Sequence, residues 1–279
     1  MRSMDGKTVV VTGPTSGIGK EIAKGLAELG SNLILGCRDT AAGRTLAWEL
    51  EGAAQEVSVD VVQVDLASRR SIEGFARRVL ERHSRIDVLV NNAGVSRGSQ
   101  PWTKSVDGIE LTFGTNVIGY FLIMQSLLPR LRESTPSRIV NVASTFASDL
   151  DMDDLQFQRR PFDSMKAYAQ SKACDRLLTW AIARRLEGSG VTVNAMAPGL
   201  IVDTGLYHYA PREVIEQLRQ RGGGRTPADG ANTAVWLASS PEVEGMTGKF
   251  FENRKEIPCL FRNQENEERL WGICESLTR

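Results

Sequence analysis

The segment Ala167-Tyr168-Ala169-Gln170-Ser171-Lys172 stands at the start of a helical pattern. Residues four apart leave a helix on the same side, which puts a phenol beside an ammonium. A free phenol ionises near pH ~10. A neighbouring positive charge favours the phenolate and lowers that value. Such a phenol can give or take a proton near neutral pH. Taken alone, the pair also fits an ordinary surface pair. Ser144 follows the β-rich run Arg138-Ile139-Val140-Asn141-Val142-Ala143. A hydroxyl beyond the carboxyl end of a strand can donate to a substrate oxygen, and it can equally cap a turn.

A second constellation lies near the start, Thr12-Gly13-Pro14-Thr15-Ser16-Gly17-Ile18-Gly19. It follows the apolar run Thr8–Val11 and precedes the helical spacing Ile22, Ala23, Leu26, Leu29. Strand, glycine turn and helix in that order make a phosphate cradle. Glycine admits unusual backbone angles and close approach of a ligand. The helix start offers free N–H groups and partial positive charge to a pyrophosphate. Gly13, Ser16, Gly17, Ile18 and Gly19 are the residues that would do this.

Other polar residues sit where strand runs end. Asp65-Leu66 follows Val57–Val64, where a carboxylate can accept from an adenine amine or cap the next helix. Asn91-Asn92-Ala93-Gly94 suits a turn that hydrogen-bonds a ligand, as it suits any turn. Asn116 lies inside an apolar helical run, which disfavours asparagine; a buried one can fix a water or a backbone kink. The second strand run ends Gly36-Cys37-Arg38-Asp39. Dinucleotide sites selective for NAD place an acid there for the ribose 2′-hydroxyl. Here Arg38 offers a guanidinium that fits a 2′-phosphate, with Asp39 the competing candidate. Arg38 favours NADP(H) over NAD(H).

The elements that must hold these residues alternate. Strands are expected at Lys7–Thr12, Asn32–Cys37, Val57–Val64, Ile86–Asn91, Arg138–Ser144, Thr192–Met196 and Gly248–Phe251. Helices are expected at Gly19–Leu29, Thr40–Glu51, Ser71–His83, Ser105–Leu131 and Ala167–Leu186. Runs such as Val88-Leu89-Val90 are apolar on both faces, as in a parallel sheet covered on each side. Repeated β-α-β units give a doubly wound, three-layer α/β/α sheet of the Rossmann type. The expected organisation is one domain over residues 1–279. A substrate flap is expected near 200–224, where Leu206, Tyr207, Tyr209 and Ile215 would offer apolar surface. A helical tail near 263–277 should pack on the outside.

Composition excludes several classes. Thirty-four basic residues balance thirty-four acidic ones over 279 residues, so no net field draws nucleic acid or an anionic membrane. No apolar stretch reaches the ~20 residues of a membrane span, and the N-terminal residues lack a signal peptide's apolar core. Four scattered cysteines read as reduced thiols of a cytoplasmic protein. Two histidines and no C-x-x-C pair make a metal site unexpected.

In this order the motifs resemble the short-chain dehydrogenase/reductase family: the T-G-x3-G-I-G loop, Asp65-Leu66, Asn91-Asn92-Ala93-Gly94, Asn116, Ser144, Tyr168-x3-Lys172 and Pro198-Gly199. The resemblance covers nearly the whole chain. It implies hydride transfer between a nicotinamide and a carbonyl or alcohol carbon of a small-molecule substrate. Tyr168 would be the acid or base, and Ser144 would polarise the substrate oxygen. Lys172 would bind the ribose and depress the tyrosine pKa, and Asn116 would hold a relay water. Pro198, Gly199 and Thr204 would shape the nicotinamide pocket. Homo-oligomers through the two long helices occur among relatives.

Gly36-Cys37-Arg38-Asp39, Asp153-Asp154-Leu155-Gln156, Tyr168–Lys172 and Gly248-Lys249-Phe250-Phe251 resemble the branch of retinol dehydrogenases and protochlorophyllide reductases. Ala143 stands where many relatives carry a second serine, and Asp203 where they carry a threonine. Thr15 and Ser16 stand where some NADP-dependent relatives carry a basic residue.

Overall fold

The computed structural model describes residues 3–54, 56–98, 100–148, 150–202, 212–222 and 225–279. The first half alternates strictly: β1 (Thr8–Thr12), α1 (Gly17–Glu28), β2 (Asn32–Cys37), α2 (Thr40–Ala53), β3 (Val59–Gln63), α3 (Arg69–Arg82) and β4 (Val88–Asn91). A short α4 (Leu111–Phe113) runs through a π-helical turn, Gly114–Ile118, into α5 (Gly119–Glu133). Then come β5 (Ser137–Val142), α6 (Ser164–Arg185), β6 (Val191–Ala197), α7 (Arg212–Gly222), α8 (Pro227–Ser239), β7 (Lys249–Glu252), β8 (Lys255–Glu256) and α9 (Gln264–Leu277).

The sheet order is β3-β2-β1-β4-β5-β6-β7-β8, parallel through β7, with β8 antiparallel at the edge. Alternate strand residues feed two cores, because successive side chains point to opposite faces. Val10, Leu89 and Ile139 face α3, α5 and α6, while Val9, Val11, Val88, Val90 and Val140 face α1, α2 and α8. The doubly wound α/β architecture is therefore as read from the sequence. Helix α9 packs outside α6 and buries Leu270 and Cys274 completely.

Three expectations change. The run Ser105–Leu131 becomes helical only at Leu111, because Gly108 takes φ +81° and Lys104 bridges Glu110 just before it. Ser144 lies two residues beyond β5 rather than ending it. Helix α8 was not expected, although its start carries a clear signal. Thr226 and Asp229 form a reciprocal capping box around Pro227 at the first helical position.

The membrane reading also needs amendment. Leu111–Glu133 spans 23 residues and is apolar enough by composition to cross a bilayer. Some 72 % of its apolar window is buried inside the fold, which makes it a core helix. Of the flap region, Thr204, Leu206, Tyr207 and Tyr209 lie outside the described residues.

Candidate active site

A cleft of about 510 Å3 opens beyond the carboxyl ends of the strands. It lies at β1 and β4, where the winding of the sheet reverses and open α/β sheets leave a crevice. Gly13, Ser16, Gly17, Ile18 and Gly19 line it, with Arg38 and Asp39 after β2, and Asp65 and Leu66 after β3. Asn92, Ala93 and Gly94 after β4, Tyr168 and Lys172 from α6, and Pro198 after β6 also line it. The structure thus brings these fifteen residues, widely separated in sequence, to one cleft. Asn116 is fully buried behind this wall. Gly199 holds φ +78° and packs against the Arg225 guanidinium.

The glycine loop is built tight. Gly13 and Gly17 hold φ +64° and +53°, in the left-handed region that glycine tolerates. A Cβ on Gly13 would stand 2.8 Å from the Ala93 Cα, and one on Gly19 would meet the Gly13 carbonyl and the Asn92 amide. Asn92 Nδ2 donates to the carbonyls of Thr12 (2.9 Å) and Gly13 (3.1 Å). Thr12 Oγ1 accepts from the N–H groups of Asn92 and Ala93. The end of β4 and the loop are thereby one unit.

Helix α1 then stands out at its start. Asp39, Ser68, Glu110, Asp163, Thr226 and Asn263 cap α2, α3, α4, α6, α8 and α9 with side-chain oxygens. Ser16 gives α1 no such cap. Its first N–H groups, aimed into a glycine-lined cleft, fit a pyrophosphate. The residues present therefore suit a dinucleotide.

At the far end of the cleft, Asp39 Oδ1 accepts from Ala41 and Ala42 N–H. That carboxylate is engaged in capping α2, whereas Arg38 is exposed on the cleft wall. Asp65 is not the cap of α3, a position Ser68 holds. Asp65 Oδ1 instead accepts from Ala67 N–H, which fixes the turn.

At the reacting end, Tyr168 is nearly buried and stacks on Phe146, with ring centroids 6.4 Å apart and planes 20° from parallel. Ser144 hydrogen-bonds the Tyr168 hydroxyl, and Ser144 Oγ accepts from Phe146 N–H at 3.0 Å. Burial raises the phenol well above the ordinary tyrosine value; the Asp175 charge adds to this and the Ser144 bond opposes it. The expected lowering by Lys172 is not found. Lys172 Nζ donates instead to the Val142 carbonyl (3.0 Å) and Asp175 Oδ2 (2.8 Å). It lies 6.0 Å from the Tyr168 ring centroid. Burial is the largest single influence and pulls the ammonium down, but the Asp175 charge, Tyr120 and the Asp175 hydrogen bond together outweigh it and hold Lys172 above the usual lysine value.

Asn116 sits in the π-helical turn, whose extra residue per turn re-aims side chains. Its Oδ1 accepts from Val95 N–H at 2.8 Å, and its Nδ2 donates to the Val95 carbonyl and Ser171 Oγ. The side chain braces the loop after β4 against α6. Its side-chain amide is engaged in that brace.

Sequence reasoning missed Asp175, the partner of Lys172. The signal was present: it lies three residues on, the spacing at which side chains again meet on a helix.

Fold, cleft and the Ser144–Tyr168 contact define an oxidoreductase of the nucleotide-binding α/β class. Residues 7–214 match the short chain dehydrogenase family, and the chain belongs to it. It is 39 % identical to human retinol dehydrogenase 14 over 98 % of this chain and 86 % of that protein. It is 38 % identical to human retinol dehydrogenase 13 over 97 % and 84 %. The relationship places it with the retinol dehydrogenase branch. Among solved structures, the Pseudomonas aeruginosa RhlG/NADP complex shares 30 % identity with a TM-score of 0.73, over 88 % of this chain and 94 % of that one. A Brucella melitensis 3-ketoacyl-(acyl-carrier-protein) reductase complexed with NADH shares 25 % at 0.69, over 89 % and 97 %. The chain is thus an oxidoreductase acting on an alcohol or carbonyl carbon with a nicotinamide nucleotide.

Proposed function

We infer that this chain is an NADP(H)-preferring reductase or dehydrogenase of an apolar aldehyde, ketone or alcohol, working in the cytoplasm as a single catalytic domain. The observation that carries the reading is Tyr168, held by Ser144 at the mouth of a dinucleotide-shaped cleft. The nucleotide, when bound, supplies or accepts the hydride. The α1 N-terminus and glycine loop would hold its pyrophosphate, and Lys172 its nicotinamide ribose. Asp65 would meet the adenine, with Pro198, Gly199 and Thr204 at the carboxamide end.

Ser144 orients the substrate oxygen, and Tyr168 keeps its proton at neutral pH, which suits donation to a carbonyl. Phe146 (50 % exposed), stacked on Tyr168, and Met165 (47 % exposed), three residues before it on α6, offer apolar surface to a substrate. That fits the naming of the relatives, as does a carbon chain longer than a few atoms. Helix α9 covers α6, which favours a chain that works without pairing through its long helices.

Two measurements test this. In nucleotide-dependent turnover of aldehydes graded from acetaldehyde to retinal, kcat/KM should rise with apolar size. A preference for small polar carbonyls would defeat the apolar assignment. Arg38→Asp should move the preference from NADPH towards NADH by tenfold or more, since each lost charged hydrogen bond is worth about 1.5–3 kcal/mol. An unchanged ratio would show that the 2′-phosphate is held elsewhere.

A further inference from the structure

One helical turn beyond Lys172 lies a second cavity, which shares no lining residue with the cleft. At about 10 Å3 it has the size of a single water. Asn91, Tyr120, Asn141 and Asp175 supply its polar wall. Three buried atoms of these residues have no hydrogen-bond partner among the described residues: Asn91 Oδ1, the Tyr120 hydroxyl and Asp175 Oδ1. They are two acceptors and one donor. One water satisfies all three, donating to the two oxygens and accepting from the phenol.

Asp175 Oδ2 meanwhile binds Lys172 at 2.8 Å, with the two side chains 0 % and 5 % exposed. Burying such a pair is costly unless the remaining lone pairs are also met. Its persistence beside the reacting groups therefore calls for a task. Two of the three Lys172 N–H bonds are taken by Val142 and Asp175, which leaves one for the cleft that Lys172 lines.

We propose that Asp175 is a positioning residue: with one internal water shared by Tyr120 and Asn91, it fixes the Lys172 ammonium so that its third N–H faces the ribose site. This rests on the reading of Lys172 given above. Asn91 is itself fixed, since its Nδ2 donates to Asn141 and Asn141 donates to Thr179, which donates to the Asp175 carbonyl. The titratable groups within reach of Asp175 are Lys172 and Tyr168 on its own helix, Tyr120 from α5, and Cys174 and Cys274. Of these only Lys172 carries charge at neutral pH. Burial outweighs its pull and pushes the Asp175 carboxyl up to about 6. Below that pH the carboxyl is neutral and the charge that anchors Lys172 is lost. An acid limb of activity is therefore the expected signature of Asp175 in this role.

The test starts with nucleotide-free protein. A carboxylic-acid C=O stretch in the infrared should grow as pH falls through about 6 and be missing in Asp175→Asn. Tyr120→Phe removes the donor to the water and leaves the Lys172–Asp175 contact alone. It should move the band's midpoint upward, because the carboxylate loses support. In the loaded enzyme, Asp175→Asn should lower kcat/KM roughly 10²-fold, as small misplacements do, mainly through KM for the dinucleotide. Its acid limb should vanish.

No titrating band, or Asp175→Asn with full kcat/KM and an unchanged acid limb, overturns the proposal. If Asp175→Asn fails to fold, an unmoved midpoint in Tyr120→Phe overturns it instead. A wild-type chain that titrates as described yet turns over no carbonyl strikes the functional reading alone.

Discussion

Tyr168→Phe is expected to lower turnover by roughly 10²–10⁴-fold, the usual contribution of a positioned acid or base. Dinucleotide binding and melting temperature should stay near those of the parent. The substitution removes one oxygen and keeps the ring, so the stack on Phe146 survives. Ser144 is only partly buried and can turn to water, so no orphaned polar group is left inside. A loss confined to kcat, with nucleotide titration unchanged, would assign the proton to Tyr168. Retained activity would take it out of the chemistry.

Lys172→Met should be damaging twice over. Turnover and dinucleotide affinity should both fall, and the fold should lose about 3–5 kcal/mol near neutral pH, the cost of leaving a buried charge unpaired. Asp175 has a fully buried side chain and would stand without its cation. Burial already holds its carboxyl above the ordinary value, and loss of the lysine raises it further.

The pH dependence has a definite sign. Between the unfolded and folded values the native state binds the extra proton, so stability rises as pH falls through that window. The damage from Lys172→Met should therefore shrink on acidification, as chemical denaturation at pH 5 and pH 8 would show. Adding Asp175→Asn should restore stability but not turnover. A double variant that recovered both would leave Lys172 with a structural role only.

The fold was highly legible because its strands are apolar on both faces and its helices amphipathic. Val88-Leu89-Val90 could sit only inside a covered sheet, and it sits between β1 and β5. The loop was legible for the same local reason, glycines between a strand and a helix. What escaped was set by three-dimensional company. Tyr168 and Lys172 share a helix face, but which partner the ammonium chooses depends on Val142 and on a buried acid. Asn116 announced an oddity in a helix, yet nothing in its neighbours told that its side chain would brace Val95. The start of α4 was hidden because Gly108, in an otherwise plausible helical run, takes a left-handed turn.

The knot formed by Thr12, Gly13 and Asn92 has a thermodynamic consequence. Ordering a floppy loop around a ligand commonly subtracts from affinity. Here that ordering entropy is spent once, during folding, because side chains of the protein itself already clamp the loop carbonyls. A dinucleotide meets a receptor in its final shape, and the free energy of its phosphate contacts goes into holding it.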